Sequence, residues 1–427
     1  MNGEIQIVLK IRRSGLDHLP KASKSTQVIE LQPHGEPSEP LATSIKQSMF
    51  SPKRYAQESR NIINMVDGRS SVHIPATHLN RFVHDLFVAA KISEDDATTI
   101  TNFIITQELH GKHTHGLNAV SQYLQGLATN RMKPNPNQEV LSDRGMTAII
   151  DGDHGIGIVG GMKGMQLAIK KARVGGIGMV LVVRNNHFLA TAPYCLEAVH
   201  AGMIGIAFSN SKVVMGYPGT RKRSIGNQPI GFGIPTKAEY PILFDTYLTT
   251  SSGTLKQWHQ TGQRIPDCLK GLDRNGQLTT NPQSVLDGGM PLPIGGHKGA
   301  GLAIAVEVLT GVLGNAAFSS QITPRGRKDK TSKTDAPSHC CIAIDTQAFM
   351  PVEYFETRIS QFIMDLKDNP LAEGSDMIRL PGEKEAQTKR EYERRGIPVG
   401  SKVQNSLREW GQKLGVMCPK NLGFGDE

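Results

Sequence analysis

The chain has 427 residues, 38% of them hydrophobic, with 45 glycines, two tryptophans and a formal net charge of +9. That length allows one large or two medium domains with a full core, and no apolar run reaches the roughly 18 residues that a membrane span needs. The five cysteines, Cys195, Cys268, Cys340, Cys341 and Cys418, show no CxxC spacing and make a poor disulfide framework, which favours a reducing compartment.

Residues 1 to 70 are rich in Ser, Pro, Lys and Gln, lack a sustained apolar period, and read as a disordered extension. The opening MNGEIQIVLKIRR lacks the order of a secretory signal. Glu4 and Asp17 weaken a mitochondrial transit reading without excluding it, so cytoplasm is the default expectation. Much of the basic surplus sits in this segment and in RGRKDKTSK at 325–333, without aromatic interleaving, so neither nucleic acid nor membrane is expected as a partner. A positive surplus also favours anionic substrates and phosphorylated cofactors.

From Pro75 the pattern changes: Leu79, Phe82, Val83, Leu86, Phe87 and Ala90 recur at helical spacing. Ser93 with Asp96 resembles a capping box for a second helix through Ala97, Ile100, Phe103 and Ile104. HGKHTHG follows, with His110, His113 and His115, and leaves three readings open: a metal site, a catalytic acid and a polar loop. A third helix is expected around 120–127. Between Thr147 and Phe244, short apolar runs (AII, GMVLVV, IGIAF, ILF) alternate with helical GMQLAIKKA and TAPYCLEAVHA, which argues α/β. Beyond lie an expected helix at 302–314, a strand CIAID ending at Asp345, a helix from about 353 to 366, an LPGE turn at 380–383, a last helix at 403–414, and a tail from 419 to 427.

DGDHGIGIVGGMKG contains GxGxxG at Gly155, Gly157 and Gly160, after a strand-like run and before a helix, as a dinucleotide fingerprint requires. The fingerprint also wants an acidic residue at the end of the next strand, yet GMVLVV ends at Arg184, Asn185 and Asn186. A packing turn is the expectation here, with a true Rossmann site as the alternative.

THGLNAVSQYLQG, VVRNNHF, IGNQPIGFGIP, LTTNP, LPIGGHKGAGLA, CIAID and RLPGEKE, in that order, resemble the malate/L-lactate dehydrogenase family of the non-Rossmann type. That family includes ureidoglycolate dehydrogenase, diketogulonate reductase, sulfolactate dehydrogenase and piperideine-2-carboxylate reductase. The resemblance spans roughly 75 to 418. It implies an α/β fold with a mixed sheet and flanking helices, in which a cofactor part covers about 147–315 and a helical part about 75–130 and 350–418. It also implies a homodimer, and hydride transfer between NAD or NADP and a small 2-hydroxy or 2-oxo acid or a cyclic imine.

By the same resemblance His115 and His187 are acid/base candidates, and histidine suits that role because its pKa lies near neutrality. Asp245 lies beside the catalytic histidine in the family, although on its own it also reads as a helix N-cap. The cofactor stretches would be Asp245, Thr246, Tyr247, Leu248, Thr249, Thr250 and Ser251, then His297 and Lys298, then Gly382, Glu383 and Lys384. GGHKGAG lets backbone approach a phosphate, with Lys298 as a point charge; its plainer reading is a turn capping the next helix.

The sequence departs from the family near this site. The arginine four residues after the SHG histidine is Ala119 here, and a family lysine is Thr254. Family GTNP is GNQP at 226–229, and Leu189 replaces a glycine. Arg184 then becomes the candidate to grip a substrate carboxylate. A degenerate member that keeps fold and dimer without turnover is the second reading.

Overall fold

The computed structural model describes residues 71–322 and 336–418. The expectations for residues 1 to 70, the basic run at 325–333 and the tail from 419 lie outside the described residues.

Strand β1 (Val72–Ile74) leads into helices α1 (Ala76–Ala89) and α2 (Glu94–Leu109). Leu79, Phe82, Val83, Leu86 and Phe87 bury one face of α1. The Ser93 hydroxyl accepts from the Asp96 amide at 3.3 Å and caps α2, whose first turn carries Glu94, Asp95 and Asp96 against the positive end of the helix dipole. A short turn holding His115 separates α2 from α3 (Val120–Ala128).

Strands β2 (Val140–Arg144) and β3 (Thr147–Asp151) form a hairpin, and helix α4 (Gly157–Gly175) crosses over to β4 (Ile177–Val183), which runs parallel to β3. Helix α5 (Ala192–His200) precedes β5 (Met203–Ser209), followed by the small pair β6 (Met215–Gly216) and β7 (Arg223–Ile225), then β8 (Ile230–Ile234) and β9 (Ile242–Thr246). A minor lobe of α6 (Ser252–Gln260), β10 (Gly271–Leu272), β11 (Leu278–Thr279), α7 (Pro282–Leu286) and β12 (Met290–Pro291) packs on Leu255, Ile265 and Val285. Next come α8 (His297–Glu307), which continues as a π-helical turn over Val308–Val312, then β13 (His339–Asp345), α9 (Val352–Lys367), α10 (Glu383–Arg395), β14 (Ile397–Val399) and α11 (Ser401–Leu414).

The main sheet has seven strands in the order β2-β3-β4-β13-β5-β8-β9, parallel at β3–β4 and antiparallel elsewhere. This is the expected mixed sheet with flanking helices. β13, inserted between β4 and β5, is buried along most of its length and reads as a continuous apolar run because helices cover both faces.

The β3-α4-β4 unit explains why the glycine motif mimics a dinucleotide fingerprint, and the packing explains why it is not one. A Cβ on Gly157 would lie 2.1 Å from the His187 carbonyl oxygen, and one on Gly160 would lie 2.4 Å from the Asn185 amide nitrogen. The space that a pyrophosphate would take is filled by the loop after β4. The glycines serve close packing, as expected.

Three helices, α6, α7 and α10, escape the sequence pattern. α10 (EKEAQTKREYERR) has no buried residue and no apolar stripe; Tyr392 packs against the core, and ion pairs Lys389–Glu393 and Arg395–Glu391 along it, and Arg390–Glu239 and Lys112–Glu385 to its neighbours, accompany that contact.

Gly157→Ala should cost about 1–3 kcal/mol, because the methyl meets backbone that cannot rotate away. The urea midpoint measures this, and an unchanged midpoint would mean that the turn has room to spare.

Candidate active site

The His115 turn is pinned from beneath by Glu108, a carboxylate only 2% exposed at the end of α2. Its two oxygens accept from His113 Nδ1 at 2.5 Å and from the Leu117 amide at 2.6 Å. A Cβ on Gly116 would fall 2.2 Å from one of those oxygens, so the last glycine of HGKHTHG is required by the carboxylate under it. The Tyr392 hydroxyl of α10 lies 3.4 Å from His113 Nε2. His113 is therefore an anchor of the turn, and the loop's histidines take separate partners. Among the described residues no group of three or more His, Cys, Asp or Glu side chains is placed to hold a metal ion.

His115 is half-buried, with Thr114 Oγ1 at 3.3 Å from its Nδ1. Burial pushes its pKa below the usual histidine value; the Asp245 carboxylate pulls it upward and the Lys112 ammonium adds to the depression. His187 sits in the loop after β4. Gln122 Nε2 lies 3.1 Å from its Nδ1, and Tyr123 donates to its carbonyl oxygen at 3.0 Å, so the helix after the His115 turn also positions His187.

Asp245 lies on the edge strand β9. It accepts from the Thr191 hydroxyl at 2.6 Å, the Thr191 amide at 3.3 Å and the Ala192 amide at 3.2 Å, which caps α5 from a neighbouring strand. No side chain of α5's own cap residue does this. The negative charge also faces the dipole of α5.

Arg184 takes a place other than the one expected. Its Nε donates to Asp151 at 2.9 Å and its Nη2 to the other oxygen of the same carboxylate. The Nε–Nη2 edge of the guanidinium is thereby taken by an internal partner, which leaves a substrate carboxylate only the remaining N–H groups. Ala119, where the family arginine would stand, is 4% exposed within the core.

The three cofactor stretches meet along β9 and the loop that follows it. The Leu243 amide donates to the Pro381 carbonyl at 3.0 Å, which seats Gly382 against the β9 edge. Farther on, the Ile294 amide donates to the Leu248 carbonyl at 3.0 Å and Thr249 Oγ1 to the Leu292 carbonyl at 2.9 Å, bringing 245–251 beside the start of α8. There Gly295, Gly296, His297 and Lys298 are exposed; the two glycines have φ of 62° and 61°, and open space surrounds Gly296. Exposed backbone amides at a helix N-terminus, beside a lysine, suit a dinucleotide's phosphates.

Some members of these stretches have structural duties. Ser251 caps α6 by accepting from the Thr254 amide at 3.0 Å, and the Thr254 hydroxyl lies 2.9 Å from that of Ser251. Glu383 binds Tyr240 and Lys367. Burial would raise its pKa, but the hydrogen bonds from Lys367 and Tyr240 outweigh that and hold it below the usual range.

A cavity of about 170 Å³ opens at this junction, lined by His110, Lys112, Leu243, Asp245, Gly382 and Glu385 among others. Burial lowers the His110 pKa to about 4, so this histidine is neutral at pH 7. Lys112 Nζ pairs with Glu385 Oε1 at 2.7 Å across the cavity wall. Burial lowers the Lys384 pKa, and Lys112 nearby lowers it further. Lys112 and Glu385 lie inside the HGKHTHG and RLPGEKE stretches, but nothing in either stretch signalled that the two side chains pair.

A family model described as malate/L-lactate dehydrogenase matches residues 74–408. Malate dehydrogenase of Pyrococcus horikoshii is 31% identical over 353 residues, covering 81% of this chain and 96% of that protein. Malate/(S)-sulfolactate dehydrogenase of Methanothermus fervidus is 30% identical, covering 77% and 94%. The solved structure of sulfolactate dehydrogenase from Methanocaldococcus jannaschii superimposes with a TM-score of 0.75 at 28% identity, covering 81% of this chain and 98% of that one. Sequence, fold and the converging stretches agree, and the chain belongs to the malate/L-lactate dehydrogenase family.

Proposed function

We propose that this chain is an NAD- or NADP-dependent oxidoreductase that interconverts a small 2-oxo acid and the corresponding 2-hydroxy acid, with His115 as acid/base. The observation that carries the reading is the junction at β9: Asp245 lines a small cavity, acts on His115, and begins the loop that runs to the exposed amides before α8. A bound reduced nicotinamide supplies the hydride that adds to the carbonyl carbon.

The chain's own residues manage the proton and the geometry. His115 gives a proton to the carbonyl oxygen as the C–H bond forms, and takes it back in the oxidative direction. Asp245 steadies the protonated imidazole. His187, oriented by Gln122 and by the Tyr123 bond to its carbonyl, is a second acid/base candidate, suited to relay or to polarise the same oxygen. Lys298 and the amides at the start of α8 would hold phosphate, while Gly382 and Lys384 would border the same cofactor at the other end of β9.

The cavity adjoins a second one of about 520 Å³ that shares His110, Leu243, Gly382 and Glu385. A cyclic imine-2-carboxylate fits the same chemistry. Ala119 and Thr254 favour the other reading, a member that keeps the fold and binds nucleotide without turnover. Cytoplasm remains the proposed compartment.

A homodimer is part of the proposal. Leu302, Ile304, Val308, Val312 and Leu313 lie 43–55% exposed on α8 and its π-helical turn, next to the His297–Lys298 end. An apolar face of this kind suits a second copy. Val308→Asp should convert a dimer to monomer on a sizing column with light scattering; a wild-type monomer would end the dimer proposal.

The decisive assay is oxidation of NADH and NADPH, followed by absorbance, against a panel of 2-oxo acids and cyclic imines. His115→Ala should lower turnover by about 100-fold or more with NADH affinity little changed; equal turnover removes His115 from the role.

The direction of the His115 shift sets the pH profile. Its protonated form lies below a pKa depressed from 6.5, so kcat/KM for reduction should fall as pH rises through that depressed value, and oxidation should gain over the same window. A reductive limb centred above 6.5 would contradict this.

A further inference from the structure

Three places where a substrate carboxylate could be gripped are weakened in this chain: position 119 is a buried alanine, one edge of the Arg184 guanidinium is held by Asp151, and His110 is neutral at pH 7. The cavity nevertheless holds a cation. Among the described residues that line it, Lys112 is the one Lys or Arg, and its side chain is 44% exposed beside Glu385, Asp245 and His110. Its backbone belongs to the His115 turn: the Lys112 amide donates to Gln107 at 2.8 Å, and its carbonyl accepts from the His115 amide at 2.8 Å. Lys112 and His115 therefore leave the same short turn, with Lys112 on the cavity wall and His115 outside its lining.

Building on the oxidoreductase reading, we propose that Lys112 is the substrate's carboxylate anchor, that Glu385 is its resting counter-ion, and that the substrate is a 2-oxo monoacid rather than a diacid. The ammonium has three donors, so it can hold Glu385 and a second carboxylate together. A second acid group would find no further cation on the cavity wall; it would meet Glu385 and Asp245, both carboxylates. Ala192, Leu243, Phe244 and Pro381 offer apolar contact to a short neutral tail, and Gln107 is the one uncharged amide side chain in the lining. A lysine is also a weaker selector than the forked arginine it would replace, since it grips as a point charge without fixing the carboxylate plane.

The test is steady-state kinetics on full-length wild type, Lys112→Met, Lys112→Arg and Glu385→Gln, with pyruvate, 2-oxobutyrate and oxaloacetate, plus NADH affinity by fluorescence. Lys112→Met should raise KM for the monoacids by about ten-fold or more while kcat and NADH affinity hold, the pattern of lost uniform binding to a charged group. Lys112→Arg should recover most of the affinity. Glu385→Gln should lower KM and improve oxaloacetate relative to pyruvate. Unchanged KM in Lys112→Met, weakened NADH binding in its place, or a wild-type preference for oxaloacetate would each overturn the proposal. If wild type turns over no substrate, the oxidoreductase reading fails separately. Calorimetric titration of the NADH-loaded protein with oxamate then decides the anchor: weaker binding to Lys112→Met sustains it, whereas equal binding to both, or none to wild type, ends it.

Discussion

The carboxylate of Asp245 accepts from the Thr191 hydroxyl and from the first amides around α5, and the site is laid out from that junction. A carboxylate there sits at the positive end of the helix dipole and gathers three hydrogen bonds from the start of the helix. The same charge opposes, without cancelling, the burial that lowers the His115 pKa. Edge strand β9 thus ties a helix end, the His115 turn and a cavity to one side chain.

The sheet contains a parallel unit that looks like half of a dinucleotide fold, and the chain uses it for packing. The glycines of α4 let the 184–188 loop lie directly on the helix, which aims His187 toward Gln122. Open backbone appears elsewhere, at the start of α8, where two glycines with positive φ leave space free. Glycine content alone does not tell the two uses apart; what lies within 3 Å of the missing Cβ does.

Much of this was legible from local pattern. The 3.6-residue spacing of α1, the Ser93 cap, the β3-α4-β4 alternation and the CIAID strand each reflect burial or capping that acts within a few residues. His115, Asp245 and Lys298 were singled out through resemblance, since their motifs survive. Partnerships across distant sequence were not legible. Glu108 reads as one more helical acid until the turn folds over it; Arg184 looks available until Asp151, 33 positions away, takes one edge of its guanidinium. α10 gave no period because it carries no apolar stripe. The pairing of Lys112 with Glu385 joins two stretches in which nothing local signals it.

The pairing of β1 with β14, with Val72 opposite Val399, has a consequence for how the protein is made. The first strand described finds its partner only near the other end of the chain, and the cavity wall likewise needs 381–385 to meet 107–112. Contacts of such sequence separation raise the loop-closure cost of folding and slow it. On a ribosome the helices around His115 would emerge long before α10 and β14 exist, with their apolar faces waiting for the sheet. The ligand site is therefore among the last parts of the molecule to be completed, so a chain truncated short of α10 would lack a finished cavity however well its amino-terminal helices had formed.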